Sequence, residues 1–198
     1  LIAVMREPGA QPGIYDPDAV DFLTRVATNS GTLSSTTADA VNAFVIAAKA
    51  NGYWSKLSRI NLICGDWPAA LVPLKIGVGA DTESPNGYSA TNYTEALGIT
   101  GKGTGQTDTY ALDTGYSPAA DDPSDWGCFA YIAGVTTQNT YYLGLTRDSG
   151  PTSYAGIGSV VGSLSGYIAS AGSTAALDTN PTSGHVGFFG VVAYGSRT

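Results

Sequence analysis

The chain has 198 residues, a net charge of −7 and a pI near 4.4, with 43% hydrophobic and only 13% charged residues. That apolar share supports a folded core and excludes wholesale disorder. The nine Lys and Arg residues are scattered, so no basic stripe exists to neutralise phosphates, which excludes nucleic acid as a partner; no apolar run is long enough for membrane insertion.

With so few charges, the polar surface comes from Ser and Thr, roughly a fifth of the chain, and from 26 glycines. This mixture suits short strands joined by tight turns, and the length accommodates one large β domain or a small domain plus a medium one.

Residues 1–15 read as an extended arm. Leu1, Ile2, Ala3, Val4 and Met5 are apolar, and Pro8 and Pro12 stiffen the remainder of the arm. The run is too short for the apolar region of a signal peptide and no basic segment precedes it. With the only Met at position 5, it reads as a processed or truncated start. Such an arm lies on its own domain or adds a strand to a neighbour.

Residues 16–58 read as a helical hairpin. Asp16-Pro17 is a helix start, Asp as the cap and Pro in the first turn. Ala19, Phe22, Leu23 and Val26 then form one apolar stripe, ended by Asn29-Ser30-Gly31. A second start lies at Ser35-Thr36-Thr37, with Val41, Phe44, Val45 and Ala48 as its stripe and Gly52 as its end.

The stretch NGYWSKLSRINLICGDW, Asn51 to Trp67, is where helical periodicity gives way to strand periodicity. Tyr53, Trp54 and Leu57 continue the helical face, and Arg59 to Cys64 is β-rich. Its two tryptophans read as a staple between helices and sheet.

Residues 59–198 read as a β-sandwich. Gly77 to Thr94 is a polar, exposed loop. Strand segments then come at Thr109–Leu112, Phe129–Val135, Thr140–Leu145, Tyr154–Val161, Gly166–Ala171 and Val186–Tyr194, separated by turns such as Asp148-Ser149-Gly150-Pro151 and Asn180-Pro181-Thr182. Short strands at this spacing predict a sandwich or jelly roll.

The helical pair ending in GYWSKLSRINLICGD, then ALVPLKIG, then ALGITGKGTGQTDTYALDTGYSP, resembles the LamG-like, concanavalin A-type jelly-roll proteins with a helical N-terminal segment. These occur among bacteriophage virion proteins and bacterial surface proteins. The resemblance implies a mainly β fold, an antiparallel jelly-roll sandwich with a small N-terminal helical hairpin, and an extracellular or virion location. Members of the family carry more strands and a closing helix after the segment similar to GFFGVVAYGSRT. This chain therefore reads as a fragment or as one completed by strands from another chain.

Motifs that invite chemistry have plainer readings. Asp113-Thr114-Gly115 matches the aspartic-protease triplet, but that chemistry needs a second carboxylate, and Asp178-Thr179-Asn180 is a poor copy. Gly101-Lys102-Gly103-Thr104-Gly105 lacks the Ser or Thr that a phosphate loop places directly after Lys. His185 is the lone histidine, and Gly162-Ser163-Leu164-Ser165-Gly166 puts Leu where a nucleophile elbow needs Ser. Glu occurs only at positions 7, 83 and 95, outside the strand segments, which argues against paired carboxylates for glycoside hydrolysis. No enzyme is expected.

Asp121-Asp122-Pro123-Ser124-Asp125 clusters oxygens that suit calcium, and sandwiches of this kind sometimes bind it, but the spacing matches no defined loop; no cofactor is otherwise expected. Cys64 and Cys128 are disulfide candidates in an extracellular chain, or two buried thiols.

Carbohydrate is an expected partner, bound or attached. Tyr88 and Tyr93 are candidates for stacking on sugar rings. Asn92-Tyr93-Thr94 is an N-glycosylation sequon, and Ser or Thr beside prolines at 84, 117, 124, 152 and 182 suit O-linked sugar.

These readings predict a non-enzymatic structural subunit of an extracellular assembly, a virion component or filament. Its partners would be copies of itself or neighbouring subunits, engaged through strand exchange by Leu1 to Met5. The alternative is a lectin-like attachment module.

Overall fold

The computed structural model describes residues 14–77, 79–101 and 111–115. It also describes the backbone of strands at 125–132, 140–146, 154–160, 163–167, 174–176 and 187–194, with the side chains of 129–131. Two compact units emerge: Leu1–Gly101 with Ala111–Tyr116, and Lys102–Tyr110 with Ser117–Thr198. The boundary read at residue 58 thus falls inside the first unit, because the segments beyond it pack on the helices.

Helix α1 (Pro17–Thr28) starts where the Asp-Pro pair places it. The Asp16 carboxylate accepts from Asp18 N at 2.9 Å, filling one of the donors that a helix start leaves open. Helix α2 (Ser35–Ala50) starts likewise, with Ser34 Oγ accepting from Thr37 N at 3.0 Å. Lys49, near the end of α2, bridges to Asp16 at 2.6 Å and Asp18 at 2.5 Å. These contacts fix α1 and α2 as antiparallel neighbours.

Their shared face buries Ala19, Phe22 and Val26 against Val41 and Val45. Ala69, Val72 and Leu74 close this core from the third side, with Leu23, Leu33, Trp54, Ile60, Leu62 and Cys64 packed around it. Phe44, assigned to the stripe of α2, is 42% exposed, and Ala38 is buried instead. A position on the rim of an apolar arc is decided by what packs beside it, which periodicity does not encode.

The stretch from Asn51 to Trp67 is a joint, but not one between helix and strand. Gly52 (φ +72°) ends α2, and Trp54–Lys56 forms a single 3₁₀ turn. Residues Arg59 to Cys64 make only one β-bridge, Ile60 to Lys75, and Ile63 has φ +52°, incompatible with a continuing strand. Helix α3 (Trp67–Ala70) comes next, capped by Asp66, whose Oδ1 accepts from Ala69 N at 3.0 Å. Close packing here demands glycine at position 31, where a Cβ would stand 2.6 Å from Ala69 N.

Most described residues between Gly77 and Thr94 are exposed, as expected, but short elements punctuate the span. It contains β1 (Ser84–Asn86) and ends in β2 (Tyr93–Thr94), which pairs with β3 (Gly98–Ile99). Strand β1 pairs antiparallel with β4 (Ala111–Asp113), Pro85 opposite Leu112.

In the second unit, β5 (Asp125–Ile132) pairs antiparallel with β10 (Gly187–Tyr194) over eight residue pairs, Asp125 opposite Tyr194. Strands β6 (Thr140–Thr146), β7 (Tyr154–Val160), β8 (Ser163–Tyr167) and β9 (Thr174–Ala176) form an antiparallel meander. Its register shifts between Tyr141 and Leu143, the mark of a β-bulge. Strand β10 comes close to β7 and β8, and β5 to β6.

Candidate functional site

Two polar clusters in the first unit hold Cys64, Asp66, Tyr93 and Glu83, whose ionisation is shifted from the ordinary value. The first joins residues 92–95 to residues 63–67. Tyr93, 8% exposed, sets its ring 5.7 Å from that of Trp67 and donates its hydroxyl to Gly65 O at 3.0 Å and Ile63 O at 3.3 Å. Burial, with the charges of Cys64, Glu95 and Asp66 adding to it, pushes the Tyr93 hydroxyl up to about 12. Glu95 Oε1 accepts from Gly65 N at 2.8 Å and Thr37 Oγ1 at 2.9 Å, tying the turn after β2 to the start of α2. Cys64 is a free, half-buried thiol whose pKa is pushed up to about 11 by burial first and by the Glu95 carboxylate second. A reactive cysteine needs the opposite environment, one that favours thiolate.

The second cluster surrounds Glu83. Its side chain is 1% exposed and that of Arg59 is 7% exposed; Arg59 Nη2 donates to Glu83 Oε1 at 2.6 Å. Asn61 Nδ2 donates to the same oxygen at 2.6 Å. Arg59 also donates to Ile76 O and Ala80 O, both at 2.9 Å. Burial raises the Glu83 pKa against the lowering influence of Arg59 and Asn61, and Asp113 adds to the rise. The result is a buried ion pair that pins the backbone on either side of residue 78. No protein-family model, curated protein or solved structure matches the chain.

Among the residues singled out from the sequence, Tyr93 changes role. Its ring packs on Trp67 inside the first unit, so its face is not open to a sugar; it is a core residue, and the stacking assignment is corrected. Tyr88 is half-buried. Asn92 is also half-buried, and its Oδ1 accepts from Ser89 N at 3.2 Å and Ser89 Oγ at 3.3 Å, holding a 3₁₀ turn (Ala90–Asn92) closed. Asp113 sits at the end of β4 and accepts from Gly115 N at 2.9 Å, an Asx turn at Gly115 (φ +59°).

Leu1 to Met5, Lys102 to Gly105, Asp121 to Ser124, Asp178 to Asn180 and His185 lie outside the described residues. So does the side chain of Cys128, which stands in β5 opposite Val191. Among the described residues no group of three His, Cys, Asp or Glu could hold a metal ion, and no helix is long and apolar enough to cross a membrane.

Sequence reasoning missed the Arg59–Asn61–Glu83 cluster. One signal was present: Glu83 is one of only three glutamates in a charge-poor chain, and a scarce charge flanked by turn residues invites a search for its partner.

Proposed function

We propose that this chain is a non-enzymatic structural subunit of an extracellular assembly, a virion component or a filament, in which a jelly-roll-like sandwich is joined to its neighbours by strand addition. The observation that carries this reading is the position of β10. Gly187–Tyr194, GFFGVVAY, has no charged residue and no proline, and among the described strands it pairs on one edge only, with β5. Natural proteins usually blunt such an edge with lysine, proline or a bulge, because an unprotected apolar edge is a template for another chain.

Leu1 to Met5, LIAVM, has the composition to occupy it. Main-chain hydrogen bonds supply affinity in strand addition, and alternate side chains supply specificity. An arm of one subunit on the edge strand of the next is a head-to-tail contact, which repeats into a fibre unless rotation closes it into a ring. Carbohydrate, where present, would decorate the assembly.

The test is deletion of residues 1–12, combined with electron microscopy and circular dichroism. Loss of polymers or particles with an unchanged spectrum is expected. Polymers that persist after the deletion would refute strand exchange through this segment.

A further inference from the structure

Around the Arg59–Glu83 pair, three buried polar atoms make no hydrogen bond to the protein: Arg59 Nε, Asn61 Oδ1 and Glu83 Oε2. Their chemistry is unequal. Arg59 Nε carries a proton and can only donate; Asn61 Oδ1 and the carboxylate Oε2 accept. Each is also the geminal neighbour of an atom already gathered at one point, because Arg59 Nη2 and Asn61 Nδ2 both stand 2.6 Å from Glu83 Oε1.

An arginine that meets a carboxylate side-on closes two parallel bonds, one through Nη2 and one through Nε. Here the Nη2 half is made, and the Nε half is open on both sides. Leaving three buried polar atoms unpaired forfeits the hydration each had in the unfolded chain, so a native protein satisfies them.

We propose that a single water molecule is bound between Arg59 Nε, Glu83 Oε2 and Asn61 Oδ1 as an integral part of the fold. A water accepts one hydrogen bond from Nε and donates two, to Oε2 and Oδ1, which matches one donor and two acceptors. A cation fails the match because it would face the Nε–H of a guanidinium, and an anion fails because it would face Glu83. Buried waters typically make about three such bonds. The raised pKa of Glu83 agrees with a carboxylate that protein donors serve on one oxygen only.

The water also has a structural task. Arg59 holds Ile76 O and Ala80 O, and Glu83 leads directly into β1. Fixing the open half of the fork locks the guanidinium plane, and with it the backbone that delivers β1 to β4.

A crystal structure of the unmodified chain, at a resolution that shows ordered solvent, tests the proposal. The expected result is one density peak within about 2.7–3.2 Å of all three atoms. Direct contact of Nε with Oε2, or of a protonated Oε2 with Asn61 Oδ1, would overturn it, as would a peak ligated by oxygens alone with Nε turned away. Proton NMR gives an independent reading in solution. The Arg59 Hε resonance should show a cross-peak to a long-lived water, and a cross-peak to protein protons alone would count against the site.

Discussion

The Tyr93 hydroxyl donates to Gly65 O at 3.0 Å while its ring rests against Trp67 at 5.7 Å between centroids. One residue from a polar segment thereby ties the β2 end of the first unit to the turn that leads into α3.

Replacing Tyr93 should therefore act on stability. Tyr93→Phe, which removes the hydroxyl and leaves two backbone carbonyls with one partner fewer, is expected to cost about 1 kcal/mol. Tyr93→Ala should cost about 3–5 kcal/mol, the range for deleting a buried aromatic ring. Urea denaturation monitored by tryptophan fluorescence reads both. A Tyr93→Ala protein as stable as the parent would contradict the packing described.

Removing one partner of the Arg59–Glu83 pair should be worse than removing both. Glu83→Leu alone leaves a buried guanidinium without its counter-charge and should cost about 3–5 kcal/mol. Adding Arg59→Met should recover part of that loss, giving a coupling of about 0.5–3 kcal/mol in a double-mutant cycle. Recovery should be incomplete, since Ile76 O and Ala80 O lose their donors. Strict additivity of the two changes would show that the pair is not coupled.

The pH dependence of stability has two opposed parts. The Asp66 carboxyl is pushed up by burial, but hydrogen bonds from Thr32 and Ala69 outweigh this and hold it below its ordinary value; Asp16 is lowered mainly by its hydrogen bond from Lys49. A lowered carboxyl contributes stability above its unfolded pKa, about 3.9 for Asp, and loses it as pH falls through the folded value. Glu83 is raised by burial, so its contribution is present below its unfolded pKa and fades as pH rises through the folded value. Urea midpoints should consequently drop as pH falls below about 4. Asp66→Asn, which keeps a cap acceptor but cannot titrate, should flatten that drop. An unchanged slope in the variant would remove Asp66 from the account.

Cys64 should be a slow thiol. Its shift from 9.0 to about 11 lowers the thiolate fraction near neutral pH about 100-fold, and the thiolate is the nucleophile. In a Cys128→Ser background, a disulfide reagent at about pH 8 should modify the folded chain about 100-fold more slowly than the chain in urea. Equal rates would mean that the thiol is exposed.

How much of this was legible beforehand depended on the range of the interactions involved. Helices α1 and α2 are written locally: Asp16-Pro17, the serine cap and the apolar stripes need only neighbours three or four residues away. The segments around Thr140 to Leu145, Tyr154 to Val161 and Val186 to Tyr194 were likewise near the strands observed. Arg59 to Cys64 misled because β-branched composition suggested a strand, whereas its backbone turns at Ile63 and finds only the one bridge to Lys75. Tyr93 misled because the average polarity of its segment hid one buried ring. The Arg59–Glu83 pair spans 24 positions, beyond any local pattern.

The order in which the chain visits its two units has a mechanical consequence. It leaves the first unit after Gly101, returns for Ala111–Tyr116, and leaves again. A protease cut between 102 and 110 therefore cannot release the units as separate pieces, since the fragment carrying the second unit still owns β4. Among the described residues, the three residue pairs of the β1–β4 ladder and the hydrogen bond from Ala80 N to Thr114 O at 3.1 Å would link the two fragments. Reassembly of such a nicked protein becomes a bimolecular reaction, and its concentration dependence would report directly on how strongly the two fragments bind.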